Sequence, residues 1–331
     1  MIAKLKSRGA SALPAFVLLF FLTAGAAAQT PPKARVGVLL PALGRAQSQS
    51  LKGVNEELKR LGYIDRKNLV FETRNAKGDR SALRSAADDL VKRKVEVIFT
   101  TGTRATLAAA SASADIPIVF VHPGDPAAAG LVKSLTEPPR KLTGIAGFGV
   151  DKTERRLVLL RELIPELGEV HIFFDSNNKF SRDNFAIALV AAKELGLSVV
   201  EHGVKSADEL KTTLSSLQTA PGAALFHVPD DLVEGEAEFI FTTARRKKLP
   251  SMFNEESWAI QGATAAYGPS YLDMGRRSGA MIGRILKNPK QPLPAIERAD
   301  KFEFIVNYRV ANFMGMKITP AVLKKADKVI R

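Results

Sequence analysis

Short apolar runs alternate with stretches whose apolar positions recur at helical spacing through most of this chain. Arg35-Val36-Gly37-Val38-Leu39-Leu40 ends at Pro41 and reads as a buried strand. Leu51, Val54, Leu58 and Leu61 then mark a helix face, with Gly62 placed to end the helix. Leu69 to Thr73 predicts a second strand, and Leu83, Ala86, Ala87, Leu90 and Val91 a second amphipathic helix. Val95 to Thr100 and Ile116 to Val121 predict the third and fourth strands, separated by an alanine-rich helix over Thr103 to Ala112. The alternation resumes at Glu169 to Phe174, Leu197 to Glu201 and Ala223 to Val228. Ser206 with Glu209 three residues on predicts a capping box before Leu210, Leu214 and Leu217. Strands separated by helices imply right-handed β-α-β units and parallel sheets, an α/β fold. Lys141 to Val150, with glycines at 144, 147 and 149, lies between two such sets of units and predicts a crossing between lobes.

One apolar stretch breaks this rhythm. Lys4, Lys6 and Arg8 precede the run Ala15 to Leu22, and small residues follow to Ala26-Ala27-Ala28. A basic head, a short apolar core and an A-x-A step predict a secretory signal peptide cleaved near Ala28. Pro14 and the alanines argue against the alternative, an uncleaved anchor of about 20 apolar residues. The chain has no cysteine, so a lipid anchor at the cleavage site, disulfides and thiolate chemistry are all excluded. The expected product is a soluble, periplasmic, monomeric protein.

About 300 residues remain after the leader, enough for two lobes of ordinary domain size. With 46% hydrophobic and 25% charged residues, the composition is that of a globular protein. The formal charge of +14 falls to +11 once Lys4, Lys6 and Arg8 leave with the leader. A basic balance is compatible with nucleic acid, an anionic ligand or an anionic membrane surface. Export removes nucleic acid as a partner, and a solvated basic surface is the simpler account.

In open parallel sheets, ligands sit beyond the carboxyl ends of the strands. The loops selected in the first half are Pro41 to Gly44 with Leu43, Thr101 to Arg104, and His122 to Pro126 with Gly124 and Asp125. The second half offers Asp175 to Asn178 with Ser176 and Asn177, Pro229 to Asp231 with Asp230, Asn254 to Glu256, and Tyr267 to Pro269. Gly102 before a helix exposes backbone N–H groups where the helix dipole favours an anion such as a carboxylate, with Thr103 beside it or serving as the cap. Asp125 and Asp230 could pair with an ammonium or cap helices themselves. Carboxylate at one end and ammonium at the other describe an amino acid. Phe174, Phe226, Trp258 and Tyr267 are candidates to stack on a planar ligand.

Several of these segments carry a resemblance. Arg35-Val-Gly-Val-Leu-Leu-Pro41, Leu61-Gly-Tyr63, Lys67 to Glu72, Thr101-Gly-Thr103, Ile116 to Val121 with Gly124-Asp-Pro126, and Leu142-Thr-Gly-Ile145 resemble ABC-transporter substrate-binding proteins of the tryptophan/tyrosine type. So do Lys152 to Leu163, Tyr267-Gly-Pro269, Arg284 to Lys287 and Phe302 to Asn307. The resemblance implies the type I periplasmic-binding-protein fold: two Rossmann-like lobes joined by a three-segment hinge, with a ligand between them. Its lobes would be 34–144 with 269–301, and 145–268 with 302–331; the crossings would fall near 143–149, 265–269 and 299–304. It also implies partnership with an ABC permease and its ATPase. Two departures stand out. Asp175-Ser176-Asn177-Asn178 replaces the family's usual asparagine-proline pair, and His122-Pro123 replaces smaller or apolar residues, so His122 could read an anionic or aromatic group or be a solvent-exposed loop residue.

Catalytic constellations are poor. His122, His171, His202 and His227 form no H-E-x-x-H pair, and no nucleophile elbow or phosphate loop is present. No metal site, cofactor motif or enzyme is expected. An uptake receptor for an amino acid, aromatic favoured, is the leading class. A ligand sensor of the same fold for a membrane kinase or chemoreceptor is the alternative, ahead of an extracytoplasmic enzyme or a repressor.

Overall fold

A computed structural model describes residues 33–122, 124–135, 141–147 and 152–331. The expected leader, Pro123 and residues 148–151 of the glycine-rich crossing lie outside the described residues, as does the side chain of Asp231. Lys33 to Arg331 form one compact unit.

The chain begins with β1 (Ala34–Leu40), α1 (Arg45–Arg60), β2 (Leu69–Asn75), α2 (Ala82–Lys92), β3 (Val97–Thr101), α3 (Gly102–Ala112), β4 (Ile118–His122) and β5 (Leu142–Ala146). A second run follows: α4 (Thr153–Leu163), β6 (Glu169–Asp175), α5 (Lys179–Glu194), β7 (Ser198–Val204), α6 (Ala207–Ser216), β8 (Ala223–Phe226), α7 (Asp231–Gly235), α8 (Ala237–Arg246), β9 (Ser251–Phe253), α9 (Glu256–Gln261) and β10 (Ala265–Pro269). The last elements are α10 (Tyr271–Lys287), β11 (Glu297–Arg298), β12 (Phe302–Asn307), α11 (Tyr308–Phe313), α12 (Pro320–Lys325) and β13 (Lys328–Ile330).

Two sheets result, ordered β11-β5-β4-β3-β1-β2 and β13-β12-β10-β9-β8-β6-β7. Every named pairing is parallel except β10 with β12. The architecture is thus α/β with two mostly parallel sheets. Parallel strands covered by helices on both faces need apolar residues on both, which is why β1, β3 and β4 read as unbroken apolar runs. Alternate residues still go to opposite sides. Val36, Val38, Val97, Phe99, Val119 and Val121 pack into one core, whereas Leu39, Ile98, Ile118 and Phe120 pack into another. In each sheet the chain reverses its direction of growth beside the first strand, between β1 and β3 and between β6 and β8.

The chain passes between the sheets three times. β5 remains in the first sheet through Ala146, and the second run begins after residue 151. β10 remains in the second sheet through Pro269, so the next passage narrows to Ser270. α10 then returns to the first core, where Tyr271, Met274, Met281 and Ile282 join Val36 and Val38. β11 pairs with β5 and β12 joins the second sheet, leaving residues 299–301 as the third passage. The last two passages are tied together, because Ser270 N–H donates to the Lys301 carbonyl at 2.9 Å and Ser270 Oγ donates to Glu303 Oε1 at 2.8 Å.

Glycine lets α1 and α10 meet backbone to backbone. A Cβ on Gly53 would lie 2.2 Å from the Leu272 carbonyl oxygen, and one on Gly275 would lie 2.1 Å from that of Ser50. This contact sets where α10 begins, and therefore where Tyr271 stands. The capping box before α6 is present in modified form. Ser206 Oγ accepts from Glu209 N–H at 3.2 Å, and Glu209 Oε2 accepts from the N–H of Lys205 at 2.8 Å, one residue ahead of the cap.

Candidate functional site

Between the strand ends of the two sheets lies a cavity of about 590 Å³. Its first-half wall is built from Pro41 after β1, Thr101 to Arg104 at the join of β3 and α3, and His122, Gly124 and Asp125 after β4, with Arg80 and Ala129 beside them. Its second-half wall is built from Asn178 and Phe180 at the start of α5, Pro229, Asp230 and Glu234 around α7, and Asn254 and Glu255 after β9. The volume lies in the usual range for a small-molecule site, about 300–1,000 Å³.

The α3 end is arranged to receive negative charge. α3 starts at Gly102, and the cap position is Thr101 rather than Thr103. Gly102 has φ +74°, a left-handed conformation that costs a side-chain-bearing residue energy. No side chain caps the helix, so its first N–H groups keep their donor capacity beside the cavity. Thr101 is 5% exposed, and its Oγ1 is buried with no hydrogen-bond partner although the residue lines the cavity.

His122 sets the neighbouring hydroxyl. Its Nδ1 accepts from Gly124 N–H at 3.1 Å, so in the neutral ring the proton is on Nε2. Nε2 stands 3.0 Å from Thr103 Oγ1 and donates to it, which leaves the Thr103 hydroxyl proton for another acceptor. Burial holds the His122 pKa below its ordinary value, which keeps the ring neutral and this direction fixed. His122 is therefore a buried orienting residue at the end of β4, not an exposed loop histidine.

The opposite wall carries acids with different duties. Asp230 is 3% exposed; Oδ1 accepts from Val233 N–H at 2.9 Å and Oδ2 from Asp175 N–H at 2.7 Å. Both oxygens thus serve the backbone, one as the cap of α7 and one as a tie to β6. On the first-half wall, Asp125 Oδ1 likewise accepts from a backbone group, Ala127 N–H, at 2.8 Å. Glu234 Oε1 lies 3.2 Å from His227 Nε2. Burial drives His227 down to about 3, with Arg156 adding to the effect, so its ring is neutral and donates to Glu234. Burial also pushes Glu255 up to about 7, with the neighbouring Glu234 adding to the rise and hydrogen bonds from Tyr271 and Ser257 opposing it.

Of the residues singled out from the sequence, Gly102, Thr103, His122, Gly124, Asp125, Asp230 and Asn254 line this cavity. Leu43, Ser176, Asn177 and Tyr267 do not. Leu43 is 59% exposed ahead of α1. Ser176 bonds the Val204 carbonyl through N–H and Oγ, and Asn177 N–H donates to Asp175 Oδ1, so both build the turn. Tyr267 stacks on Phe302 at 5.7 Å and packs against the second core. None of the aromatic candidates lines the cavity: Phe174 stacks on Phe185, Phe226 lies under Arg156, and Trp258 packs near Phe241 and Phe253. Phe180 lines it instead, two residues past the loop the sequence pointed to. Glu234 and Arg80 were also missed, whereas Glu255 and Arg104 lay inside selected loops without being singled out as ligand contacts.

Donors at the α3 end and carboxylates at the other suit a small ligand with separated negative and positive groups. Among the described residues no group of three His, Asp or Glu side chains is placed to hold a metal, and no helix is long and apolar enough to cross a membrane.

Comparison with known proteins agrees with this layout. The chain is 28% identical over 279 residues to a tyrosine-binding protein of Clostridioides difficile, covering 84% of this chain and 78% of that one. It is similar to a Streptococcus pneumonia ABC domain solved in complex with L-Trp, at TM-score 0.75 and 23% identity, covering 90% of this chain and all of that one. It is also similar to the ligand-free, open structure of a substrate-binding protein with adhesive properties from Clostridium difficile, at TM-score 0.73 and 26% identity, covering 89% of this chain and 99% of that one. The sequence profile described as ABC transporter substrate binding protein matches residues 35–330, most of the chain, and the protein belongs to that family.

Proposed function

We propose that this chain is the exported receptor of an ABC importer, and that it captures an amino acid, aromatic favoured, between its two halves. The observation that carries the reading is the polarity of the cavity. The α3 N-terminus, with the Thr101 and Thr103 hydroxyls, faces one end, and Glu234 and Glu255 stand at the other. A ligand carboxylate meets the first set and its ammonium the second, while Phe180 offers a ring face. The relatives' stated ligands, tyrosine and L-Trp, support the same class.

The two halves act as lobes, with hinges at Ser270 and 299–301 among the described residues. A ligand touching both walls binds the closed arrangement better and shifts the population toward it. A 1:99 to 99:1 switch takes about 5.5 kcal/mol of differential affinity, which a few charge-assisted hydrogen bonds at about 1.5–3 kcal/mol each supply. The closed surface is what a permease and its ATPase read. In this reading the leader is removed near Ala28 and the mature monomer works in the periplasm without cofactor or turnover.

Isothermal titration of the purified protein against L-tyrosine, L-tryptophan and a panel of other amino acids tests the reading, with scattering to follow closure. Saturable binding with a fall in radius of gyration is expected. Flat titrations across the panel with a folded protein would overturn it.

A further inference from the structure

Thr100, Thr101, Thr103 and Thr106 lie where β3 runs into α3, and they divide into two kinds. Thr100 and Thr106 are fully buried and satisfy each other. Thr106 Oγ1 donates to the Gly102 carbonyl at 2.7 Å, so its proton is engaged, and Thr100 Oγ1 donates to it at 2.8 Å. Thr101 and Thr103 line the cavity instead. Thr101 is 5% exposed, and its hydroxyl has no partner in the protein. A valine would fill the same space without burying an unmatched polar group, so the hydroxyl is placed for something that enters from the cavity.

Thr103 is held by a histidine. Parallel pairing sets Thr101 opposite Val121, which places His122, the last residue of β4, beside the start of α3. The His122 backbone is fixed by its pairing with Ala146 and by Gly147 N–H, which donates to its carbonyl at 2.7 Å. Its ring is fixed at both nitrogens: Nδ1 accepts from Gly124 N–H at 3.1 Å, and Nε2 lies 3.0 Å from Thr103 Oγ1. A backbone amide can only donate, so in the neutral ring Nδ1 carries the lone pair and Nε2 the proton. The Thr103 hydroxyl accepts from Nε2 and turns its own proton away from the ring. A Cβ on Gly102 would meet nothing within 4 Å, so open space adjoins the turn that carries both hydroxyls.

We propose that His122 is a positioning residue that decides which class of ligand group this end of the cavity takes. It fixes Thr103 as a donor, and Thr103, Thr101 and the first N–H groups of α3 then form a seat for an acceptor-only group, a carboxylate, in preference to its carboxamide. This deepens the amino-acid reading above and names the residue that selects the acid function. A carboxylate offers lone pairs to every donor of the seat, whereas a carboxamide turns an NH2 toward one of them. That mismatch leaves a buried donor unpaired, which is a strong basis for discrimination between close analogues. Arg80 and Arg104 line the same wall and favour negative charge of any shape, while the His122–Thr103 pair reads the direction of a hydrogen bond. Burial holds the His122 pKa below its ordinary value, so the ring keeps a single proton in neutral solution.

The test is calorimetry at neutral pH with L-tyrosine, L-tryptophan, their carboxamides and the deaminated acid 3-(4-hydroxyphenyl)propionate. The readout is the ratio of acid to amide affinity in the native protein, His122→Leu, Thr103→Val, Thr103→Ser and the double variant His122→Leu/Thr103→Val. Expected is an acid preference that falls about tenfold in His122→Leu and in Thr103→Val, falls no further in the double variant, and returns in Thr103→Ser. A His122→Leu change that weakens acid and amide alike, or that persists at full size without the Thr103 hydroxyl, would sink the proposal and leave the amino-acid reading standing. Binding of the deaminated acid with the same dependence on both residues, while amino acids do not bind, would support the proposal and overturn that reading. Amides that bind the native protein as tightly as the acids overturn the proposal alone, and binding of no probe overturns both. Ring-nitrogen NMR of the ligand-free native protein checks the tautomer without any variant. His122 protonated at Nε2 is expected, and protonation at Nδ1 would overturn the proposal however the variants fold.

Discussion

Removing the Asp230 carboxylate should damage the fold before it damages the site. The sequence invites the opposite expectation, that Asp230→Ala weakens ligand binding and leaves folding intact. In the structure the side chain is 3% exposed, and its two oxygens accept from Val233 N–H at 2.9 Å and Asp175 N–H at 2.7 Å. Losing an N-cap costs about 1 kcal/mol, and stranding a buried N–H at the end of β6 costs about 1–3 kcal/mol more. The sum, about 2–4 kcal/mol, corresponds to a fall in melting temperature of about 3–6 °C in a chain of this size. Asp230→Asn keeps one acceptor oxygen and should recover part of the loss. Thermal unfolding without ligand, followed by far-UV circular dichroism and by the single tryptophan, Trp258, is the assay. A melting temperature for Asp230→Ala within about 1 °C of the native value, together with lost ligand affinity, would refute this reasoning. It would make the carboxylate a ligand contact with no structural duty.

Thr101→Val removes a buried hydroxyl that has no partner, so the ligand-free protein should hold or gain stability while affinity for L-tyrosine or L-tryptophan falls about tenfold; calorimetry paired with urea unfolding separates the two. Gly275→Ala places a methyl group 2.1 Å from the Ser50 carbonyl oxygen, and forcing α1 and α10 apart should cost about 1–3 kcal/mol or more in urea unfolding. Glu255 ties pH to stability with a definite sign. Its folded pKa of about 7 exceeds the unfolded carboxyl value of about 4.3, so its contribution is fully present below about pH 4.3 and is lost as pH rises to about 7. Glu255→Gln should therefore stabilise the ligand-free protein by about 3 kcal/mol at pH 8 and by little at pH 4.5, as urea midpoints at the two pH values will show. His202 runs the other way. Burial lowers it to about 4, so its neutral form supports the fold above about pH 6.5 and that support is lost as pH falls toward 4; His202→Gln should flatten this part of the acid unfolding curve.

The order of strands and helices was legible in the chain itself, because burial on two faces demands apolar runs and burial on one helical face demands a 3.6-residue repeat. The loops that reach the cavity were legible too, since parallel topology sends ligands to the carboxyl ends of strands, and Gly102, Thr103, His122, Asp125, Asp230 and Asn254 all lie there. What each side chain does once there was not legible. Whether an aspartate caps a helix or faces a ligand depends on which N–H groups the fold brings within 3 Å, and Asp230 meets one from its own helix and another from residue 175. The direction of the Thr103 hydroxyl depends on a histidine 19 residues away whose ring is set by Gly124. The place of Tyr271 in the first core depends on α10 crossing back and being locked against α1 through Gly53 and Gly275. Periodicity and turn chemistry are local properties of a chain and can be read in order. Partnership between distant polar atoms depends on strand order and close helix approach, and only the folded structure decides it.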